Sequence, residues 1–421
     1  MTQGPVSRIP KWLRASPSVM LGASLLALLL LVSRQPSAVV NPQLFAEDGR
    51  VWFQNAYQFG AFPPLLWPYL GYLETFQRLI AGAALLLPLS LVPAFFIWVS
   101  LVVEVLPVAF LTSDRLAPLL PRRRVRLLIA LGYLVIPAVQ MSTLYLTQTQ
   151  WCLAVLAVLV VLAPRSKRPG WRAFDFAAVA LSGLSGPYAL FLAPAALALA
   201  WIRRTRGQVA LGVLVVTLAL LQTGVLIHNL PAQRSAVLVA VHLNWLVGAE
   251  LVATRMILVP VLGTPLGFYA SQLGGAPLLL ATLTLGAVIL AVAIRHSSIE
   301  ERLAVAVGLL TLVATMAAER HLWPEMLHSS GVLRYWFFPT MTWLVILAIV
   351  AFRSRTYLLR PLAVVLLCLA FLAGGLSTWE FPAVPNRHFQ AAARQFKRAT
   401  PGQDVRFQED PPGWSFLLTK R

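Results

Sequence analysis

Long apolar stretches alternate with short polar segments along almost the whole chain. Several of these stretches run for 16 to 22 residues, close to the roughly 20 residues that a helix needs to cross a bilayer. Backbone polar groups in lipid must be satisfied within each spanning segment, so the pattern predicts an all-α, polytopic bundle of transmembrane helices. We predict about eleven crossings, within a range of 10 to 13, near residues 18–33, 79–112, 126–143, 148–164, 173–185, 187–201, 208–228, 275–295, 302–318, 333–352 and 361–377.

Some of the predicted crossings need a more specific interpretation. Residues 18–33 follow a basic N-terminal stretch without a convincing signal cleavage site, so we interpret them as a retained first helix. The segment 79–112 is too long for one straight span, and its prolines, Pro88 among them, predict kinks or a short extra helix at the outer surface. The pair 173–185 and 187–201 is short, which predicts a shallow hairpin around "LSGPY" that stops inside the bundle.

Three segments outside the predicted spans are long enough to carry function: a first outer loop at 34–78, the region 228–275 and a tail at 378–421. Polar interruptions within residues 241–263 predict a helix that lies at the membrane surface. In the tail, "RHFQAAARQFKRA" has helical spacing, and "DVRFQ" and "WSFLLTK" resemble strands. We therefore divide the chain into a transmembrane module at 1–377 and a short C-terminal tail at 378–421.

Composition and charge agree with a membrane location. Hydrophobic residues make up 58% of the chain and charged residues 12%, against about 25% charged in soluble domains. Alternation of the spans places 20 of the 34 basic residues on one side and 7 on the other, with 7 more in the tail. This bias predicts a multi-pass protein of the plasma (inner) membrane with a cytoplasmic N-terminus and an extracytoplasmic C-terminus. Topology thus explains the net charge of +19, and we expect no nucleic-acid partner.

Cysteines and most acidic residues give little sign of chemistry. Cys152 and Cys368 lie in separate apolar segments and indicate neither a disulfide framework nor a metal site. Glu104 lies within an apolar span, where an ionisable group is costly, so it has either a functional role or a buried, hydrogen-bonded one. Four acids fall near cytoplasmic arginines, where solvated loop pairs are expected. They are Asp114, Asp175, Glu300 and Glu301.

The first outer loop holds two adjacent acids, Glu47 and Asp48, within "FAEDGRVWFQNA". They open a predicted short helix whose aromatic face, over residues 51–57, is suited to the lipid headgroup level. An aspartate at this position is a good N-cap, which is the simplest interpretation. A cap needs only one acid, however, and a carboxylate near a helix N-terminus is favoured in its ionised form. The second interpretation is therefore a general base that takes a proton from a hydroxyl group.

Two further outer segments carry candidate binding residues. "PYLGYLETFQR" places Tyr72, Glu74 and Arg78 just ahead of a span, either as an aromatic belt with a snorkelling arginine or as substrate contacts. "ERHLWPEMLHSSGVLRYWFFP" places a cationic cluster at the outer ends of two helices, and arginine is suited to holding a phosphate through two hydrogen bonds. Its candidates are Arg320, His321, Arg334 and Tyr335, while the spacing of His321 and His328 is a weak metal signal.

An outer carboxylate, an outer cationic cluster and surrounding lipid suit one kind of chemistry. The donor would be a sugar on a polyprenyl phosphate, with its tail among the helices and its phosphate at the interface. A carboxylate would deprotonate the acceptor, and arginine would stabilise the phosphate leaving group.

The order of "FAEDG" in the first outer loop, "GYL" and an arginine before the next span, "SGPYALFLAP" and then "RYWFFP" resembles the polytopic membrane glycosyltransferases of the C superfamily (GT-C). In plan the chain is similar to protein mannosyltransferases and lipid A aminoarabinose transferases. The resemblance implies a catalytic acid at Asp48 or Glu47 and a phosphate contact at Arg334, with Arg320 second. It also implies a polyprenyl-phosphate-linked sugar donor and a saccharide, lipid or protein acceptor.

The chain departs from better-known members of that superfamily in two respects. It lacks a large soluble C-terminal domain and an obvious second acidic motif like those of metal-using oligosaccharyltransferases. We therefore expect a metal-free site without a cofactor. Two alternatives stay open: a transporter or flippase of a lipid-linked saccharide, which Glu104 and the short helices also suit, and a polysaccharide polymerase or ligase that depends on the outer arginines and His321.

Overall fold

The computed structural model describes residues 17–136, 144–237, 245–328 and 333–421. Three sets of residues from the sequence analysis lie outside this part of the chain. They are the basic residues before the first helix, residues 137–143 of the third predicted span and the side chain of His328. Most of the described residues are helical. The α-helices are α1 (Pro17–Arg34), α2 (Pro36–Val40), α3 (Gln54–Phe59), α4 (Thr75–Ala84), α5 (Val92–Thr112), α6 (Arg123–Leu134), α7 (Thr149–Leu162), α8 (Pro169–Gly183), α9 (Tyr188–Arg203), α10 (Arg206–Val237), α11 (Trp245–Leu251), α12 (Val259–Leu262), α13 (Thr264–His296), α14 (Ile299–Ala318), α15 (Trp323–His328), α16 (Phe337–Arg353), α17 (Leu359–Leu369) and α18 (Phe389–Arg398).

Shorter elements connect or extend these helices. The π-helical segments are Asp48–Phe53, Val252–Leu258 and Ala370–Gly375, and the 3₁₀ segments are Pro63–Leu66, Leu89–Leu91, Asp114–Leu116, Leu146–Gln148, Arg320–Leu322 and Leu333–Trp336. Two antiparallel hairpins complete the described fold: β1 (Pro68–Tyr69) with β2 (Tyr72–Leu73), and β3 (Asp404–Gln408) with β4 (Ser415–Thr419).

Within the described residues, six helices are long and apolar enough to cross a membrane. They are Leu89–Thr112, Arg206–Asn229, Trp245–Leu262, Thr264–His296, Ile299–Ala318 and Arg334–Arg353. Four shorter apolar helices accompany them: Ser18–Arg34, Leu146–Leu162, Tyr188–Arg203 and Leu359–Gly375. The chain is thus a predominantly helical membrane protein, while the predicted number of eleven crossings is not confirmed.

Two predictions about individual helices have different outcomes. The segment 79–112 is divided as expected, because α4 ends at Ala84 and α5 begins only after Pro88 and a short 3₁₀ turn. The predicted surface helix within 241–263 corresponds to Trp245–Leu262, which is long and apolar enough to cross a membrane and is half buried. Its position at the membrane surface stays a prediction. Its Arg255 is buried against the Phe268 ring, with the guanidinium carbon 4.3 Å from the ring centroid, and donates a hydrogen bond to the Met326 carbonyl. These contacts explain how a segment with polar interruptions packs inside the bundle.

Ion pairs gather at one end of the bundle. Asp175 accepts hydrogen bonds from Arg115 at 2.8 Å and Arg165 at 2.7 Å, and Glu300 pairs with Arg203 at 3.0 Å. The pairing of these acids with arginines is confirmed, but Asp175 is fully buried, so the expectation of a solvated pair is wrong for it. Burial is possible because two guanidinium groups surround a single carboxylate.

The first outer loop and the C-terminal tail pack against each other at the opposite end of the bundle from the Asp175 ion pairs. The first residues of α5 and α7 lie at this end. Phe53 of the loop stacks edge-on against Phe416 of β4, and Tyr57 against Phe396 of α18. Trp52 and Phe53 are almost completely buried. The aromatic face of the loop therefore packs on the tail and on α4, where the sequence predicted contact with lipid headgroups. The predicted helix and both predicted strands of the tail are confirmed.

Candidate functional site

Glu47 and Asp48 stand at the start of the π-helical segment Asp48–Phe53 and face the beginning of α7. The backbone N–H of Thr147 donates to Oδ1 of Asp48 at 2.9 Å, and the Thr147 hydroxyl donates to Oε2 of Glu47 at 3.2 Å. Asp48 is buried, with 1% of its surface exposed, whereas Glu47 is half buried. Of the two candidate acids, Glu47 is therefore the one with access to solvent.

The interpretation of Glu47 or Asp48 as the side chain that caps this helix is wrong. Neither Glu47 nor Asp48 has a side-chain bond that caps this helix. In the first turn of the helix, the N–H groups of Gly49 and Arg50 donate instead to the carboxyl group of Glu409 at 3.0 and 3.1 Å. The cap thus comes from the C-terminal tail, which leaves the loop acids free for other contacts.

Tyr72 and Glu74 are held beside the turn between α8 and α9. A backbone bridge joins Glu74 to Ser185, and the N–H of Gly186 donates to the carbonyl of Leu73 at 2.9 Å. Gly186 has a φ of +117°, and a Cβ there would meet Oε1 of Gln150 at 2.7 Å, so only glycine suits this turn. The "LSGPY" turn therefore anchors the Tyr72–Glu74 segment of the first loop.

Gln222 of α10 bonds to both sides of this contact between the first loop and the α8–α9 turn. Its Oε1 accepts a hydrogen bond from the N–H of Leu73 at 3.0 Å, and its Nε2 donates to the carbonyl of Gly183 at 2.9 Å. The side chain is 1% exposed. One buried amide thus ties the loop to the α8–α9 turn, and a buried amide with both ends bonded rigidifies such a junction.

Arg78 lies at the base of this cluster. Its guanidinium carbon is 4.9 Å from the ring centroid of Trp52, and that ring meets Tyr69 edge-on at 5.2 Å. Nε and Nη1 of Arg78, Oε2 of Glu74 and Oδ2 of Asp48 are buried without a hydrogen-bond partner among the described atoms. Buried polar atoms without partners are costly to the folded state.

Arg334 and Tyr335 lie in the same region, at the start of Arg334–Arg353, which is the last of the six long apolar helices. Nη2 of Arg334 donates to the Tyr335 hydroxyl at 3.4 Å, and the Tyr335 ring meets Trp151 edge-on at 6.3 Å. Arg334 is also within electrostatic range of Glu47 and Tyr72. The structure thus brings together the early and late candidates Glu47, Tyr72, Glu74, Arg334 and Tyr335.

Arg320 and His321 are not joined to this cluster by any contact of the described residues. His321 is exposed and Arg320 half buried. Their neighbour Glu319 interacts with Tyr335 instead. Of the polar cluster predicted from "ERHLWPEMLHSSGVLRYWFFP", the residues that lie together are therefore Glu319, Arg334 and Tyr335.

Burial shapes the acid–base properties of the loop residues. Desolvation raises the pKa of Asp48 well above its usual range, although the N–H of Thr147 acts in the opposite direction. Desolvation, then the charge of Glu47, raises the pKa of Glu74 well above its usual range. Burial also raises the pKa of Tyr69 to about 12, so its hydroxyl stays protonated and is available as a hydrogen-bond donor.

Sequence reasoning missed several residues of this site. Thr147 and Gln150 belong to "LTQTQ", a polar run directly before an apolar helix, and this contrast is a usable signal. Gln222 is a single buried amide within an apolar span, which is a weaker signal of the same kind. Tyr188, which lies close to Tyr72 and Tyr335, was visible only as part of "SGPY".

Comparison with known proteins does not assign the chain to a family. No protein-family model matches the sequence, and no curated protein is similar enough to match it. Within the described residues there is also no group of three or more His, Cys, Asp or Glu side chains suited to a metal ion. The fold and the site together define a predominantly helical membrane protein with a polar, aromatic cluster at one end of its bundle.

Proposed function

We propose that this chain is a membrane glycosyltransferase, similar in plan to the C superfamily, that moves a sugar from a polyprenyl-phosphate donor to an acceptor hydroxyl on the extracytoplasmic face. The observation that carries the proposal is that Glu47, from the first loop, and Arg334, from the last long span, lie close enough for their charges to interact. A carboxylate and a guanidinium group in one region suit a reaction that removes a proton and releases a phosphate.

In this proposal the Glu47 carboxylate takes the proton of the acceptor hydroxyl as its oxygen attacks the anomeric carbon of the sugar. The bond between that carbon and the phosphate oxygen breaks, and polyprenyl phosphate leaves with both bonding electrons. Arg334 stabilises the charge that develops on the phosphate, because a planar guanidinium group can donate two hydrogen bonds to two phosphate oxygens. The Tyr335 hydroxyl, which accepts a hydrogen bond from Arg334, is assigned a bond to the same phosphate, and Tyr72 is assigned a second one.

Glu47 is assigned the base role in preference to Asp48. Asp48 is buried and its Oδ1 is occupied by the N–H of Thr147, so an acceptor hydroxyl has no open path to it. Glu47 is half buried and is within electrostatic range of Tyr69, Tyr72 and Glu74. A base must reach its proton within hydrogen-bond distance, so access decides between two adjacent acids.

The test is direct transfer by the purified full-length chain in lipid nanodiscs. The chain is incubated with a set of polyprenyl-phosphate sugars and a membrane extract as acceptor source, and released polyprenyl phosphate is measured by mass spectrometry. We expect release with the wild type, a loss of about 100-fold or more in Glu47→Gln and retained activity in Asp48→Asn, which keeps the Oδ1 acceptor. Arg406→Gln, an exposed change in the tail, serves as the control.

Full activity in Glu47→Gln would overturn the assignment of the base. Movement of a fluorescent lipid-linked saccharide across the membrane without any released polyprenyl phosphate would instead support the transporter alternative.

A further inference from the structure

The carboxyl group of Glu409 links the tail to the backbone that follows the proposed base. Its two oxygens accept the N–H groups of Gly49 and Arg50, the residues that directly follow Glu47 and Asp48. Glu409 is 1% exposed. A buried carboxyl that uses both oxygens on consecutive backbone groups fixes the orientation of that backbone.

The backbone before the loop acids is fixed by the residue after Glu409. Asp410 exchanges hydrogen bonds with the chain at Leu44 and Ala46, in a parallel bridge centred on Phe45. The Asp410 carboxylate is itself held by Nε of Arg387 at 2.7 Å. The tail therefore contacts the backbone on both sides of Glu47 and Asp48.

Space around this contact is tightly limited. A Cβ at Gly49 would lie 2.3 Å from Oε2 of Glu409 and 2.4 Å from the Phe416 ring. The loop cannot shift toward the tail without a collision, and it cannot move away without breaking the two hydrogen bonds to Glu409.

We propose that Glu409 is a positioning residue of the site: through Gly49 and Arg50 it holds the Glu47–Asp48 pair in the geometry that faces Thr147 and Arg334. The consequence for catalysis rests on the proposed function, whereas the positioning itself does not. The C-terminal tail is in this view part of the site, although it supplies no group that touches the substrate.

Two variants and a matched control test the positioning in the full-length chain. Hydrogen exchange of peptides covering residues 45–53 is measured in the wild type, Glu409→Ala, Glu409→Gln and Glu380→Gln, the last being an exposed glutamate of the same tail. We expect exchange at Gly49 and Arg50 to rise about tenfold or more in Glu409→Ala, and less in Glu409→Gln, which keeps one acceptor oxygen. Glu380→Gln should match the wild type. Unchanged exchange in Glu409→Ala would overturn the proposal.

Kinetics then separate positioning from general stability. For variants that remain folded at the assay temperature, a displaced base predicts a lower kcat with little change in KM for the lipid donor, since the donor phosphate is held by Arg334. An activity loss in Glu409→Gln that appears mainly in KM would overturn the positioning role. If the wild type transfers no sugar, the proposed function fails, and the exchange result still decides the role of Glu409.

Discussion

Oε2 of Glu409 accepts a hydrogen bond from the backbone N–H of Gly49 at 3.0 Å, across a sequence separation of 360 residues. With the bonds from Arg50 to Glu409 and between Asp410 and the backbone of Leu44 and Ala46, this contact joins the tail to the first outer loop beside the proposed base. The tail is too small to form a core alone, and its aromatic residues complete a core that the loop begins.

Gly49→Ala is predicted to weaken the contact between loop and tail. The new methyl group would overlap Oε2 of Glu409 and the Phe416 ring, and such overpacking costs about 1–3 kcal/mol. The measurement is thermal unfolding in detergent, together with the rate of tail proteolysis. Gly22→Ala is the control, because a Cβ at Gly22 meets no atom within 4 Å. Equal stability of the two variants would contradict the packing described for Gly49.

The stability of the wild type is predicted to fall as pH rises. Burial, followed by the nearby Asp48, raises the pKa of Glu409 to about 9, while the N–H groups of Gly49 and Arg50 partly offset this. A carboxyl whose pKa is higher in the folded state contributes stability that is complete below about pH 4.5 and is lost as pH rises through about 9.

The test compares thermal unfolding of the wild type and Glu409→Gln between about pH 5 and pH 9. Glutamine has no proton to lose in this range, so the wild type should lose more stability than the variant as pH rises. Curves that run parallel would show that Glu409 does not titrate there.

Gln222→Leu is predicted to disturb the junction beneath Tyr72 and Glu74. The change leaves the N–H of Leu73 and the carbonyl of Gly183 without their buried partner, at a cost of about 1–3 kcal/mol per group. Lower thermal stability and weaker donor binding are expected. Thr223→Val provides the comparison, since the Thr223 hydroxyl bonds to Ala219 within its own helix. A Gln222→Leu variant as stable as Thr223→Val would contradict this account.

Local pattern was enough to predict the elements of the tail and the division between α4 and α5. Apolar positions at helical spacing predict α18. Pro88 has no backbone N–H to donate, so α4 cannot continue through it into α5. The role of the same tail was not predictable, because the pairing of Glu409 with Gly49 joins segments at opposite ends of the chain. Hydropathy carries no information about such pairing.

The site was predicted in part for the same reason. Polar residues on the outer side of the predicted topology identified Glu47, Tyr72 and Arg334, which the structure brings together. Which of the two adjacent acids is accessible depends on how the loop packs against Thr147, which bonds to both of them, and the local sequence does not show this.

The central claim is that Glu47 and Arg334 act in one step at one site, and a double-mutant cycle on sugar transfer tests it most directly. Turnover of polyprenyl-phosphate sugar is measured for the wild type, Glu47→Gln, Arg334→Gln and the double variant, all verified as folded by thermal unfolding. The account predicts a loss of about 100-fold or more in each single variant and a double variant far less impaired than the product of the two losses. Losses that multiply fully, or either single variant with wild-type turnover, would contradict it.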